Sequence, residues 1–511
     1  MRCTRKNSRA RADWCCQFGV ARGSRAALAT GLAAILLSGG CMVGPDFARP
    51  QPEAPQKWAG LDPAVTDAAT GSKPIAGAAD LTRWWAQFND AELTSLVERA
   101  AEGNLDLAAA QARIRAARAR RGIAVGGLFP AVDAFASAAH APDFTDANGD
   151  FADNGNLFAA GFDASWELDV FGRVRRGIEA TDAGIASAQA DLRDVWVTLA
   201  AEVASTYAQL RAAQEQLRTV EGNLAAQKDT QQLTQKLFDS GLVGALDVAN
   251  STAQVEATSS RLPLYRSAVR ESIYTLSILI GKPPAALLNE LQAPAPIPVP
   301  PATIPVGLPS DLLTRRPDIR RAEADLHAAT ARVGIAVADQ FPRITLTAAI
   351  GTQSGDISDF VGLATKYWSV GAGAVWPLFR GGAIQSNIQL QKAAVEEAVA
   401  TYRQQVLVAF KEVEVAMVRF TQEQSRRAAL GRTVAANKDA LSLATELYTA
   451  GRTDFLNVLA VQRALLDSQE ALAASDRAVA DNLIALYKAM GGGWEGAPFV
   501  TAPDSSLAAG Q

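Results

Sequence analysis

Side chains with reactive chemistry are scarce in this chain, and their positions narrow what it can do. All four cysteines, Cys3, Cys15, Cys16 and Cys41, fall at or before position 41. Cleavage just ahead of Cys41 leaves one thiol, so no disulfide framework is available. The two histidines stand apart, His140 beside an expected strand end and His327 in an expected helix, and isolated histidines serve surfaces and packing more often than ligation. The paired acids Glu412 and Glu414 fall in a helical pattern and read as a solvated face. There is no phosphate-binding loop, metal-spaced Cys/His set or nucleophile elbow. The expectation is a protein that is not an enzyme and holds no metal. A net charge of −4, with charged residues at 20%, offers no basic patch for nucleic acid.

The residues ahead of Cys41 explain its isolation. Seven Arg or Lys against one Asp flank the apolar run Ala26 to Leu37, which is too short to anchor in a bilayer and ends in small residues. This is a secretory leader over 1–40, and its loss takes the net charge to −4 − 6 = −10. A lone cysteine after LLSGG resembles a bacterial lipobox, in which the thiol takes diacylglycerol, the freed amine an acyl chain, and the lipid tethers the chain to a membrane. Ser38 departs from that pattern, since leucine is commoner there. Val20 to Gly40 alone has an ordinary leader length, so translation is expected to begin near Val20.

The elements that follow are built twice. Asp106-Leu107 recurs as Asp318-Ile319, Ala110 and Ala112 as Ala322 and Ala324, and GIAVGGLFP (Gly122 to Pro130) as GIAVADQFP (Gly334 to Pro342), an offset of 212 residues. In the later copy Pro317 suits a first helical position, and Ile319, Ala322, Leu326, Ala329 and Val333 form one apolar stripe. Farther on, LFDSGLVGALDV matches LYTAGRTDFLNV, and Gly241 and Gly281 recur as Gly451 and Gly491, 210 residues later. Units this long are not solenoid repeats, so the chain reads as one domain of two similar halves.

Each half carries strand-like runs and then a very long helix. Phe158, Ala160, Phe162, Ala164, Trp166 and Leu168 alternate with Ala159, Gly161, Asp163, Ser165 and Glu167, and Ile344 to Ile350 and Trp368 to Trp376 behave alike. About 9–11 residues per strand suffices to cross an outer membrane when tilted. Trp166, Trp368 and Trp376 are therefore expected to meet lipid, with Ala141 to Asn156 and Gly351 to Thr365 as outer loops. Four strands cannot close around a pore and an open edge cannot face lipid, so closure needs other chains, and three copies give twelve strands. No proline interrupts Arg173 to Phe238 or Ala383 to Tyr448, which predicts rods of about 100 Å. Their recurrent charges keep them out of lipid. They should turn at Gly241 and Gly451 and return as unbroken helices Leu246 to Ile280 and Phe455 to Met490. Met42 to Lys73 reads as an extended arm, and Trp84, Trp85 and Phe88 as a local core.

The CMVGPDF after the lipobox, RWWAQFND, APAPIPVPP, GLPSDLLTRRPDIRRAEADL and the two glycine tips together resemble the outer-membrane efflux lipoproteins of the NodT family, relatives of TolC, from Cys41 to about Trp494. The resemblance implies a mainly α fold with a transmembrane β-barrel portion, in a TolC-like homotrimer with twelve strands in outer-membrane lipid and twelve helices in a periplasmic tunnel. It implies the exit duct of a tripartite efflux pump, completed by a periplasmic adaptor protein and an inner-membrane transporter. The corresponding divisions are a leader (1–40), a lipidated arm (41–80), two efflux repeats (81–295 and 296–495) and a tail (496–511). By the same resemblance Tyr448 and Asp247 take places of residues that hold the tunnel's tip shut, Thr453 stands where an arginine is usual with Arg452 one residue early, and Asn457 and Ala460 replace an acidic ring. Gly241, Leu242 and Gly451 would meet the adaptor. Alternatives are the duct of a type I protein secretion system and a lipid-anchored periplasmic coiled-coil scaffold.

Overall fold

The computed structural model describes residues 42–61, 71–77, 80–141, 144–145, 151–152, 155–359 and 366–497. Cys41, the leader and the end of the tail lie outside the described residues, as does much of both expected outer loops. Two compact units result, one containing Leu128–Arg175 and Val337–Phe379, the other Pro45–Gly127, Arg176–Ala336 and the chain from Arg380 onward.

The first unit is an antiparallel sheet of β1 (Ala131–Ala141), β2 (Gly155–Leu168), β3 (Arg343–Ser354) and β4 (Lys366–Val375), paired in chain order. Its register keeps the two faces apart. Ala134, Phe162, Ile350 and Trp368 form one cross-strand row, and the next residues along, Asp133, Asp163, Ala349 and Ser369, form a row on the opposite face. Gly161, Gly351, Gly371 and Gly373 all share that polar face. A Cβ on Gly351 would come within 2.6 Å of the Ala160 carbonyl oxygen, and one on Gly161 would strike the Ile350 carbonyl. At Gly161 and Gly351 the neighbouring backbone therefore approaches too closely for any residue with a Cβ.

The second unit is helical. α1 (Ala91–Gly103) is capped by Asp90, whose Oδ1 accepts from Leu93 N at 3.0 Å, and buries Leu93, Leu96, Val97 and Ala100. α2 (Leu105–Gly126) is capped by Asn104. α3 (Arg173–Asp239) and α7 (Ala383–Thr449) have 67 residues each, while α6 (Pro317–Ala338) repeats α2. The return of the first half is not the unbroken helix expected. It divides into α4 (Ala245–Ser259) and α5 (Leu262–Leu279), because Pro263 has no N–H to donate and its ring crowds the carbonyl of Ser259. The second half has Ala473 at the matching position, and α8 (Phe455–Ala489) runs through.

Four helix ends are built identically across the halves. Gly241, Gly281, Gly451 and Gly491 share φ of +70°, and Leu242, Lys282, Arg452 and Gly492 donate back to Leu237, Ser277, Leu447 and Tyr487 at 2.8–3.1 Å. A second joint is duplicated with different chemistry. Asn104 Nδ2 donates to the Leu279 carbonyl at 2.9 Å, and Arg316, 212 residues later, donates to the Ala489 carbonyl at 3.0 Å.

The large core holds Trp84, Trp196, Tyr207, Tyr402, Phe420 and Tyr487, with Trp84 stacked on Tyr487 at 5.2 Å. The aromatic stretch is a 3₁₀ turn, Trp84–Phe88, and its rings belong to this large core rather than to a local one of their own. The arm is less free than its composition suggests. Trp58 is buried and donates to the Gly307 carbonyl at 3.1 Å, and Lys73–Ile75 pairs in parallel with Thr303–Pro305.

Candidate functional site

One candidate surface is the wall formed by β1–β4. On its apolar face Phe162, Ile350 and Trp368 adjoin in one row and are 58%, 61% and 75% exposed, with Val132 and Val370 beside them at 64% and 75%. A contiguous apolar sheet face this open marks an interaction with lipid or protein. Trp166 differs, being half-buried, with Nε1 donating to the Leu128 carbonyl at 2.9 Å. Trp376 makes the matching bond to Gln340 at 3.0 Å but remains 58% exposed. Brominated-lipid quenching of single-tryptophan variants should therefore be strongest at Trp368 and weakest at Trp166. An unquenched Trp368 would remove lipid from this face. His140 lies on the same face and contacts Asn156 Oδ1 at 2.9 Å.

The tips of the helical hairpins hold the other candidates. Tyr448 is buried against Phe455, with ring centroids 5.5 Å apart, in a cluster with Leu237, Val243, Val458 and Leu459. Burial raises its phenol above the ordinary value. Its hydroxyl lies beside Thr234, whose own Oγ1 is committed to the Thr230 carbonyl at 2.9 Å, and finds no partner of good geometry. Asp247 sits in the first turn of α4 and makes no hydrogen bond to Tyr448. Asn457 donates to Thr453 Oγ1 at 2.7 Å. Gly241, Gly451 and Arg452 are exposed, as is Leu242 at 72%.

Sequence reasoning missed the most elaborate polar site. Arg316 is buried and donates to both Asp318 oxygens at 3.0 and 2.5 Å, to Glu412 at 2.7 Å and to the Ala489 carbonyl, while Gln405 also bonds Asp318. Burial works to raise the Asp318 carboxyl, yet the guanidinium and the Gln405 and Ile319 donors hold it below the usual range. Glu412 and Glu414 are thus not simply a solvated face. Glu412 pairs with Arg316, and Glu414 accepts from Ala59 N and Gly60 N at 2.8 Å, fastening the arm. His327 is likewise structural, meeting Glu179 at 3.0 Å and stacking on Phe47 at 4.4 Å. The only sequence signal for Arg316 was its place in the distinctive TRRPDI run.

Among the described residues no helix is long and apolar enough to cross a membrane, and no group of His, Cys, Asp and Glu is placed to hold a metal ion. The family profile described as "Outer membrane efflux protein" matches residues 96–282 and 308–492. The chain belongs to the outer membrane efflux protein family. Nodulation protein T of Rhizobium leguminosarum bv. viciae is 30% identical over 476 residues, spanning 93% of this chain and 95% of that one. The pyoverdine export outer membrane protein OpmQ of Pseudomonas aeruginosa is 32% identical over 486 residues, spanning 91% and 96%. Among solved structures, the outer-membrane channel OprN superposes with a TM-score of 0.81 at 36% identity, covering 89% of this chain and all of that one. The chain is thus an outer-membrane efflux channel of the NodT and TolC-like kind. One matched stretch falls in each half of the duplicated sequence.

Proposed function

We propose that three copies form the exit duct of a tripartite efflux pump, carrying small molecules from an inner-membrane transporter and its periplasmic adaptor to the exterior. One observation carries this reading: a four-stranded sheet with an exposed apolar face and both outer strands paired on one side only. In lipid every backbone group must be satisfied, so β1 of one copy has to meet β4 of another. Small-molecule cargo is supported by the family and by the printed roles of relatives in pyoverdine and solvent export. The exposed turns at Gly241, Leu242 and Gly451 are the surfaces offered to the adaptor. Purified protein in planar bilayers should conduct as discrete trimeric channels, and a chain that remains monomeric and silent would end the reading.

Within that reading the tips form the gate. Tyr448 acts from inside the tip cluster, where it sets the turn, and Asp247, Arg452, Thr453 and Asn457 act at its surface. Asp247→Ala combined with Tyr448→Phe should raise the single-channel current severalfold, because a marginal closed state yields to small losses repeated in every copy. An unchanged current takes these residues out of the gate.

Lipidation of Cys41 belongs to the same proposal. Val43 N donates to the Phe171 carbonyl at 3.2 Å, and Met42 lies so close to Gly172 that a Cβ there would be 2.6 Å from Met42 Cγ. The residue following Cys41 is thus held at the connection between β2 and α3. Intact mass of protein from membranes should show a chain beginning at Cys41 with diacylglycerol and one further acyl chain. An unmodified cysteine refutes the anchor.

A further inference from the structure

A cavity of about 710 Å³ lies wholly within the helical unit, between α3, α7, α8 and the start of α6. Its size is that of a pocket for a small molecule. The charged side chains that line it fall into two groups. Asp318 and Glu412 are paired with Arg316, and Asp194 with Arg321, so every acid in the wall has its cation. Lys411, Arg419 and Lys488 are exposed and make no ion pair among the described residues. The cavity therefore keeps three uncommitted positive charges in a chain whose net charge is −4.

Two contacts fix where those charges stand on the antiparallel pair α7 and α8. Asn482 Nδ2 donates to the Arg419 carbonyl at 3.4 Å, and Arg316 ties Glu412 to the Ala489 carbonyl. Seven residues back along α7 match seven onward along α8, and the same register sets Lys488 opposite Val413, within one turn of Lys411. Two ammonium groups at one level with no acid between them repel, and an anion seated across both removes that cost. Lys411, Val415 and Arg419 recur at steps of four and so share one face of α7, with Arg419 about 12 Å along the axis from Lys411.

The scaffold itself does not require these cations. At the matching positions 210 residues earlier stand Ala201, Gln209 and Ile278. Lys488 suits the last turn of α8, where free carbonyls favour a cation, yet Ile278 serves at the matching place in α5. The three charges belong to one half alone.

We propose that this cavity binds small polyanions, molecules carrying two or more phosphate or carboxylate groups, with Lys411 and Lys488 on one group and Arg419 on another. The lysines act as point charges, while the planar fork of Arg419 matches either kind of group through two hydrogen bonds. The site is complete within one copy. It goes beyond the reading that copies assemble and does not depend on it.

Full-length protein in detergent, titrated with tripolyphosphate in buffer free of divalent ions, should bind one equivalent per chain by calorimetry. Inorganic phosphate should bind at least about tenfold more weakly, and added salt should weaken both. Lys411→Glu with Arg419→Glu and Lys488→Glu should abolish binding, and Lys282→Glu, an exposed charge reversal outside the cavity, should not. Should the triple variant fail to fold, Lys411→Gln with Lys488→Gln decides, with binding weakened at least about tenfold. Lys488→Gln also separates a site from a structural role. Without ligand it should melt no lower than wild type, because a repulsion is relieved, whereas the rise in melting temperature that tripolyphosphate gives wild type should shrink. In planar bilayers, brief current blocks by tripolyphosphate that the triple variant lacks would make the ligand cargo of the duct, and binding with unaltered current would make it a periplasmic solute. Either result upholds the site and names the source. Wild-type protein that does not bind tripolyphosphate, or a triple variant that binds it as tightly, would overturn the site, whereas a monomer that binds would overturn assembly and keep it.

Discussion

Arg316→Met should lower the stability of the folded protein by about 3–5 kcal/mol, because it leaves a buried carboxylate without its cation. The side chains of Arg316 and Asp318 are only 8% and 9% exposed, and the guanidinium also satisfies the Ala489 carbonyl. Removing the charge thus orphans an acid and the last carbonyl of a helix together. The cost belongs to breaking the pair rather than to its net worth, so Arg316→Met with Asp318→Leu should recover much of the loss. The sign of the pH dependence follows from the lowered Asp318 value. Its contribution is complete above the unfolded carboxylate value of about 3.9 and is lost as pH falls through the lower folded value. Wild-type melting temperature should fall below about pH 4 as this acid protonates, and the gap to Arg316→Met should narrow, because a neutral Asp318 needs no cation. A gap that holds constant down to low pH would mean that the pair is not what the substitution breaks.

Gly281→Ala should be far more damaging than Gly241→Ala, although both glycines end a helix at the same φ of +70°. An alanine in that conformation costs about 1–2 kcal/mol. At Gly241 nothing lies within 4 Å of the added Cβ, so only that penalty applies. At Gly281 the Cβ would fall on the Gly103 carbonyl oxygen, a backbone atom that no side-chain rotation can move aside. There the cost should reach about 3 kcal/mol or more. Melting temperatures of the two variants compare the effects directly, and equal losses would show that the close approach of Gly103 and Gly281 is dispensable.

Local signals were legible where backbone chemistry leaves little choice. Left-handed turns at Gly241 and Gly451, the proline-free runs of α3 and α7, and the alternation of β2 could be read from residue types because each depends on neighbours a few positions away. The duplication was legible for the same reason, since matched spacing needs no coordinates. The break before α5 was available in principle, because Pro263 stands in the chain as plainly as Pro317 does. The apolar pattern around it continues across Pro263 and gives no second sign of the break.

What the sequence could not supply depended on distance. Arg316, Glu412 and Asp318 lie up to 96 residues apart and read singly as surface charges, and only their convergence beneath Ala489 makes one of them a buried cation with three commitments. Tyr448 carried a role at the tip by resemblance, and only packing showed its hydroxyl enclosed between helices. The unequal burial of α2 and α6 was the least legible feature. Ala112 and Ala324 are the same letter in matched positions, yet the first is exposed and the second buried. Most element types, their repetition and the alternation of the strands were set by residue order, because those follow from short-range sterics and the periodicity of side chains. The tertiary structure alone decided which faces are buried, which charges are paired and which edges remain to be filled, because burial is a property of what a distant segment places on top of a residue.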